Sequence, residues 1–130
     1  MSNPLSKTMQ LGFITASLIL VLASSTHATE VLETQTHLLS QTEVSKHMEN
    51  LPGWTIENQQ LCRTYQFKDF VEAIDFVNRL VEPAEIAGHH PDINISYNKV
   101  SISLTTHDAG GLTQKDFDLA EVISQLSTQP

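Results

Sequence analysis

The sequence predicts an α+β fold: a two-layer domain with a four-stranded antiparallel sheet and three helices on one face. Three observations carry this. Segments that alternate apolar and polar residues come in two pairs, each joined by a short polar turn, as in β-hairpins. A capped stretch with helical spacing precedes each pair, and a third one closes the chain. The order is helix, two strands, helix, two strands, helix, which favours an antiparallel sheet with the helices gathered on one side.

The N-terminus has a composition of its own. Lys7 is the only charged side chain in residues 1–28, and it precedes the apolar run Leu11–Ala23 and the small or polar residues that end at Ala28. A basic start, a short apolar centre and small residues at a cut site are the parts of a secretory signal peptide. The expected organisation is a signal peptide over 1–28, a linker over 29–38 and one domain over 39–130. The alternative is an uncleaved membrane anchor, in which case the chain sits at a membrane. Export, in a bacterium to the periplasm, is the expected location; a cytoplasmic enzyme is expected if the leader is not used. Cleavage after Ala28 leaves 130 less 28, or 102, residues that carry six Lys/Arg and fifteen Asp/Glu, a net charge of −9. So acidic a chain argues against nucleic acid as a partner. The one cysteine, Cys62, excludes an intrachain disulfide framework and reads as a buried strand thiol.

Within the domain, Ser40-Gln-Thr-Glu43 fits a capping box, with Val44, Met48 and Leu51 at helical spacing behind it and Pro52-Gly53 as the stop. Trp54–Glu57 and Leu61–Phe67 alternate as half-buried strands around Asn58-Gln59-Gln60, with Trp54 as a core anchor. Asp69 caps the next helix, whose apolar stripe reads Phe70, Ile74, Val77 and Leu80/Val81, with Glu72, Asp75, Asn78 and Arg79 on a solvated face. Pro83 is expected to end or kink this helix. Ile93–Tyr97 and Val100–Leu104 form the clearest hairpin, turning at Asn98-Lys99. Thr113 caps the last helix with Asp116 at its third position, and Phe117, Ala120, Ile123 and Leu126 form its buried face.

The chemistry-bearing residues lie around the second hairpin. His89-His90-Pro91 precedes its first strand and Thr106-His107-Asp108 follows its second, so its open end gathers three of the six histidines. Pro91 biases His90 toward an extended conformation, and successive extended residues point apart. Three readings stand at this point. The histidines are proton-transfer groups with Glu85 or Asp108 fixing a tautomer, or a zinc site, or loop residues that bond backbone. Residue types alone do not choose among them.

The sequence resembles the pterin-4a-carbinolamine dehydratase family. The matching residues are Glu85, His89-His90-Pro91, Tyr97, His107 and Gly111-Leu112-Thr113, with Asp116 beyond, together with Leu51-Pro-Gly-Trp54 and the helix from Phe67 to Leu80 upstream. The resemblance covers about residues 38 to 127. It implies dehydration of 4a-hydroxy-tetrahydropterin to quinonoid dihydropterin, in tetrahydrobiopterin recycling. It implies His89, His90 and His107 as the catalytic set, with His89 and His107 as acid and base and His90 binding and assisting. Glu85, Pro91, Thr106, Asp108 and Ala109 are implied as substrate-binding. No cofactor and no metal are needed for this chemistry. The implied partners are a small-molecule pterin and further copies of the chain, as a homodimer or homotetramer. The alternative is a non-catalytic binding or dimerisation module that keeps the fold. Two positions depart from the common pattern: Ile93, where many members have Trp, and Gly88, where many have a polar residue.

Overall fold

The structure is a computed structural model and describes residues 37–128. The leader and most of the linker expected from the sequence lie outside the described residues. The elements are α1 (Gln41–Met48), β1 (Thr55–Glu57), β2 (Gln60–Gln66), α2 (Phe70–Ala87), β3 (Asp92–Ser96), β4 (Lys99–Leu104), a short 3₁₀ turn (His107–Ala109) and α3 (Gln114–Leu126). The sheet order is β1-β2-β4-β3, with every neighbouring pair antiparallel. The two expected hairpins are present and meet along β2 and β4. The three helices cover one face, so the α+β two-layer architecture holds. No helix among the described residues is long and apolar enough to cross a membrane.

Period-two alternation sets the two faces of the sheet. Leu61, Tyr65, Val100, Ile102 and Leu104 turn toward the helices and are buried. Thr64 and Ser101 turn the other way, and their hydroxyls meet at 2.9 Å on the open face. The helices contribute Val44, Ala73, Phe76, Leu80, Phe117, Leu119, Ala120 and Ile123 to the same core. Trp54 is a core anchor, as expected, and its Nε1 donates to Ser124 Oγ at 2.9 Å. The caps at Ser40 and Asp69 form as the sequence indicates: Ser40 N donates to Glu43 Oε2, and Glu72 N donates to Asp69 Oδ1.

Four local expectations are corrected. First, α2 does not stop at Pro83 but runs on to Ala87. Proline forgoes one helical hydrogen bond, and burial of Leu80 and Ala84 on either side holds the segment against the core. Second, the buried stripe of α2 is Ala73, Phe76, Leu80 and Ala84, while Phe70 and Val81 remain about half exposed. Positions 73, 76, 80 and 84 follow the helical repeat along one face, and Phe70 and Val81 fall at its margins. Third, the β3–β4 turn is Tyr97-Asn98 rather than Asn98-Lys99. Asn98 is fixed from both sides: its Nδ2 donates to Phe67 O at 2.7 Å, and its carbonyl accepts from Phe67 N. Fourth, Cys62 is only partly buried. It alternates with Leu61 and so lies on the open face of the sheet. Desolvation, with the Glu57 carboxylate second, pushes its thiol above the ordinary range. It therefore stays protonated and a poor nucleophile at neutral pH.

Phe76 ties the layers together. It is fully buried and lies 5.0 Å from the Tyr65 ring and 4.9 Å from that of Phe67. Phe76→Ala removes this contact and leaves a cavity, at an expected cost of about 3–5 kcal/mol. Urea unfolding of the two proteins measures it; a loss under about 1 kcal/mol would show that the ring is not a core element.

Candidate active site

The end of α2 places the first histidine. Gly88 takes up a left-handed conformation (φ +54°) that side chains with a Cβ rarely adopt. Its N–H bonds to Glu85 O, and the next N–H, that of His89, bonds to Ala84 O at 3.1 Å. This is a Schellman closure, which turns the chain sharply off the helix axis. Here the departure at Gly88 has a local reason, because glycine meets the dihedral without strain.

After this turn His89 points inward and His90 outward. His89 is buried, and its Nε2 lies 2.7 Å from Asp116 Oδ1. Asp116 is wholly buried at the start of α3. Its Oδ2 accepts from Thr113 N at 2.8 Å, from Thr106 Oγ1 at 2.8 Å and from Thr113 Oγ1 at 3.3 Å. A carboxylate is acceptor-only when ionised, and these donors suit that form. The hydrogen-bond network therefore places the shared hydrogen on His89 Nε2.

The far end of the β3–β4 hairpin closes the same network. Thr106 follows β4, bridges to Gly111 through the backbone and brings its hydroxyl to Thr113 Oγ1 at 2.8 Å. His107 opens the 3₁₀ turn one residue later and is solvent-exposed. Ala109 is partly buried, and Asp108 is exposed on the outer side of this turn. Asp108 is one of two acids expected to fix a histidine; the acid that faces His89 is Asp116, expected from the sequence as a helix cap and as a position beyond the family motif. The cause is burial: a carboxylate inside the protein takes every donor in reach, and the histidine is one of them.

Glu85 meets the other half of that expectation. Its Oε1 lies 2.8 Å from His90 Nε2, with both side chains well exposed. His90, Pro91 and Glu85 border a cleft of about 190 Å³ that is otherwise apolar, walled by Val77, Val81 and Ile93. A wider groove of about 530 Å³ between α2 and α3 is lined in part by Pro83, Ile86, Leu119 and Val122 and contains no histidine. The structure thus joins buried His89, Asp116 and Thr113 with partly buried Thr106 in one hydrogen-bonded cluster, and His107 is the exposed residue that follows Thr106. His90, Glu85 and Pro91 instead border the cleft walled by Val77, Val81 and Ile93. Among the described residues, no group of three or more His, Cys, Asp or Glu side chains is placed to hold a metal ion.

The arrangement has relatives. Residues 37–126 match the family model described as pterin 4 alpha carbinolamine dehydratase. A protein of Cyanothece sp., provisionally named a pterin-4-alpha-carbinolamine dehydratase, is 68% identical over 90 residues, which are 69% of this chain and 93% of that protein. One of Nostoc punctiforme with the same provisional name is 65% identical over 91 residues, covering 70% of this chain and 98% of its own. A crystal structure from Brucella melitensis, described as a transcriptional coactivator/pterin dehydratase, superposes with a TM-score of 0.66 at 30% identity, covering 68% of this chain and 97% of that one. With a family model matched across the whole described fold and relatives at this identity over nearly their full length, the chain belongs to the pterin 4 alpha carbinolamine dehydratase family.

Proposed function

We propose that this protein dehydrates 4a-hydroxy-tetrahydropterin to quinonoid dihydropterin by histidine acid–base catalysis, in the recycling of a tetrahydropterin such as tetrahydrobiopterin. The observation that carries the reading is the buried His89–Asp116 pair at 2.7 Å in a chain whose relatives bear the dehydratase name. The reaction needs two proton movements. The 4a-hydroxyl takes a proton and leaves as water, while a ring-nitrogen lone pair closes the new C=N bond. A second proton then departs from the pterin. A protonated imidazole serves the first step and a neutral one the second. His89 and His107 fill these roles. Asp116 holds the His89 ring in one tautomer and one orientation, as a carboxylate does for a catalytic histidine in other enzymes. His90, steadied by Glu85, binds and assists from the cleft side, and Thr106 and Pro91 border the substrate.

Stopped-flow dehydration of chemically generated 4a-hydroxy-tetrahydropterin tests the assignment. His89→Ala and His107→Ala are each expected to slow turnover about 10²–10⁴-fold, the range for losing a positioned acid or base. Two folded variants that turn over at the parent rate would remove the histidines from the mechanism.

Asp116→Asn keeps the shape of the side chain but presents a donor where the carboxylate presents acceptors. It is expected to lower kcat by about 10²-fold with little change in KM, and to alter the pH profile of kcat. Loss of the folded protein without a kinetic effect in the surviving fraction would make Asp116 structural only.

The location follows the leader. Export with cleavage near Ala28 gives a mature chain that begins at Thr29-Glu30. Fractionation and N-terminal sequencing check this. A soluble cytoplasmic protein that starts well downstream of Met1 would overturn it and return the enzyme to the cytoplasm.

A further inference from the structure

The turn that carries His107 is held largely by its own backbone. Thr106 O accepts from Ala109 N and from Gly110 N, both at 3.1 Å, and Thr106 N donates to Gly111 O at 3.0 Å. No side chain caps the turn, and His107 and Asp108 stand in solvent. On its inner side Thr106 and Thr113 are fixed through Asp116. Its outer support comes from a distant part of the sequence, the residues just ahead of α1.

Leu38 and Leu39 run past the end of the turn. Leu39 N donates to Leu112 O at 2.9 Å. Leu39 packs against the core, whereas Leu38 is 46% exposed. Leu38 nonetheless has a seat. A Cβ added at Gly111 would stand 2.8 Å from Leu38 Cδ1, well inside the separation at which carbon atoms attract. Gly111, unlike Gly88, does not lie in the left-handed region, so the backbone does not call for glycine there. What Gly111 supplies is space, and Leu38 uses it. Around this notch Leu38, Leu39 and Val44 face Ile56, Gly111 and Leu112 across a cleft of about 180 Å³.

We propose that Leu38 is a positioning residue: seated in the notch at Gly111, it straps the turn and holds the His107 imidazole where the dehydration uses it. The strap has two adjacent anchors, the Leu39 N–H on Leu112 and the Leu38 side chain on Gly111. Both anchored residues lie between the His107 turn and Thr113. The Thr106–Gly111 bridge ties Gly111 back to the residue before His107. Thr113, on the other side, bonds to Asp116 through its N–H and its hydroxyl. A displacement at Gly111 is therefore passed directly to the turn. Leu38, which the sequence assigns to the end of a linker, thus belongs to the domain and to its site. The catalytic part of this role rests on the proposed dehydration; the strap does not.

Three variants of the full chain test the proposal: Leu38→Ala, Gly111→Ala and the two together. Leu38 is half exposed, so its truncation leaves the buried core intact. Gly111→Ala needs only the end of a flexible side chain to move. Amide hydrogen exchange reads the turn without reference to catalysis. The Ala109 and Gly110 amides should exchange about fivefold faster in each single variant, the ratio that seating one partly buried leucine supports. With Leu38 already truncated the added methyl no longer evicts it, so the double variant should match Leu38→Ala alone. Multiplied effects would overturn the notch, and unchanged exchange would overturn the strap. In stopped-flow dehydration, Leu38→Ala should lower kcat about fivefold at constant KM. In a His107→Ala background it should lower kcat no further, because it acts through that imidazole. An equal further loss there, or an unchanged kcat in the parent background, would overturn the positioning role. Absence of turnover in the parent chain, with exchange accelerated as expected, would sink the dehydration reading and leave the strap standing.

Discussion

A carboxylate taken out of water must find its hydrogen bonds inside the protein, and the placement of Asp116 depends on this. It has no solvent exposure, and four donors converge on it from three parts of the chain: His89 after α2, Thr106 after β4, and the backbone and hydroxyl of Thr113 at the start of α3. Removing any donor would leave buried charge under-compensated, at a cost larger than one ordinary hydrogen bond. The network therefore joins the helix layer to the open end of the β3–β4 hairpin. It also fixes the orientation of His89, the one buried histidine among the described residues.

The helix termini make this convergence possible. The Schellman turn at Gly88 delivers His89 inward and, one residue later, His90 outward to Glu85. The backbone bridge between Thr106 and Gly111 folds the chain after β4 back toward α3. Each device is local and inexpensive. Together they set one histidine in a buried, oriented environment and two in open ones. Such a division suits chemistry that needs a held group and an exchangeable group.

Local chemistry made much of the fold legible. The capping box at Ser40-Glu43, the cap at Asp69, the core role of Trp54 and both hairpins follow from residues within a few positions of one another. The misreadings have one source. The stripe on α2, read at helical spacing as Phe70, Ile74, Val77 and Leu80/Val81, holds at Leu80, but the buried face is turned toward Ala73, Phe76 and Ala84. Pro83 is expected to end or kink the helix, and it does not end it, because packing on either side outweighs one missing hydrogen bond. The Tyr97-Asn98 turn is displaced by one residue because Asn98 answers to Phe67, thirty-one residues away.

The sequence by itself determined the types and order of the elements, the antiparallel hairpins, the family and the set of histidines at one end of a hairpin, because each is written in short-range spacing or in a contiguous motif. Only the tertiary structure decided how the hairpins join through β2 and β4, that β3 lies open at an edge, and which acid serves which histidine. Glu85 and His90 are five residues apart and almost neighbours in the chain, whereas His89 and Asp116 are separated by twenty-seven. Nothing in the spacing of Asp116 marks it as more than a cap. Its second role exists because folding buries it, and a buried carboxylate takes its partners from whatever the packing brings within reach.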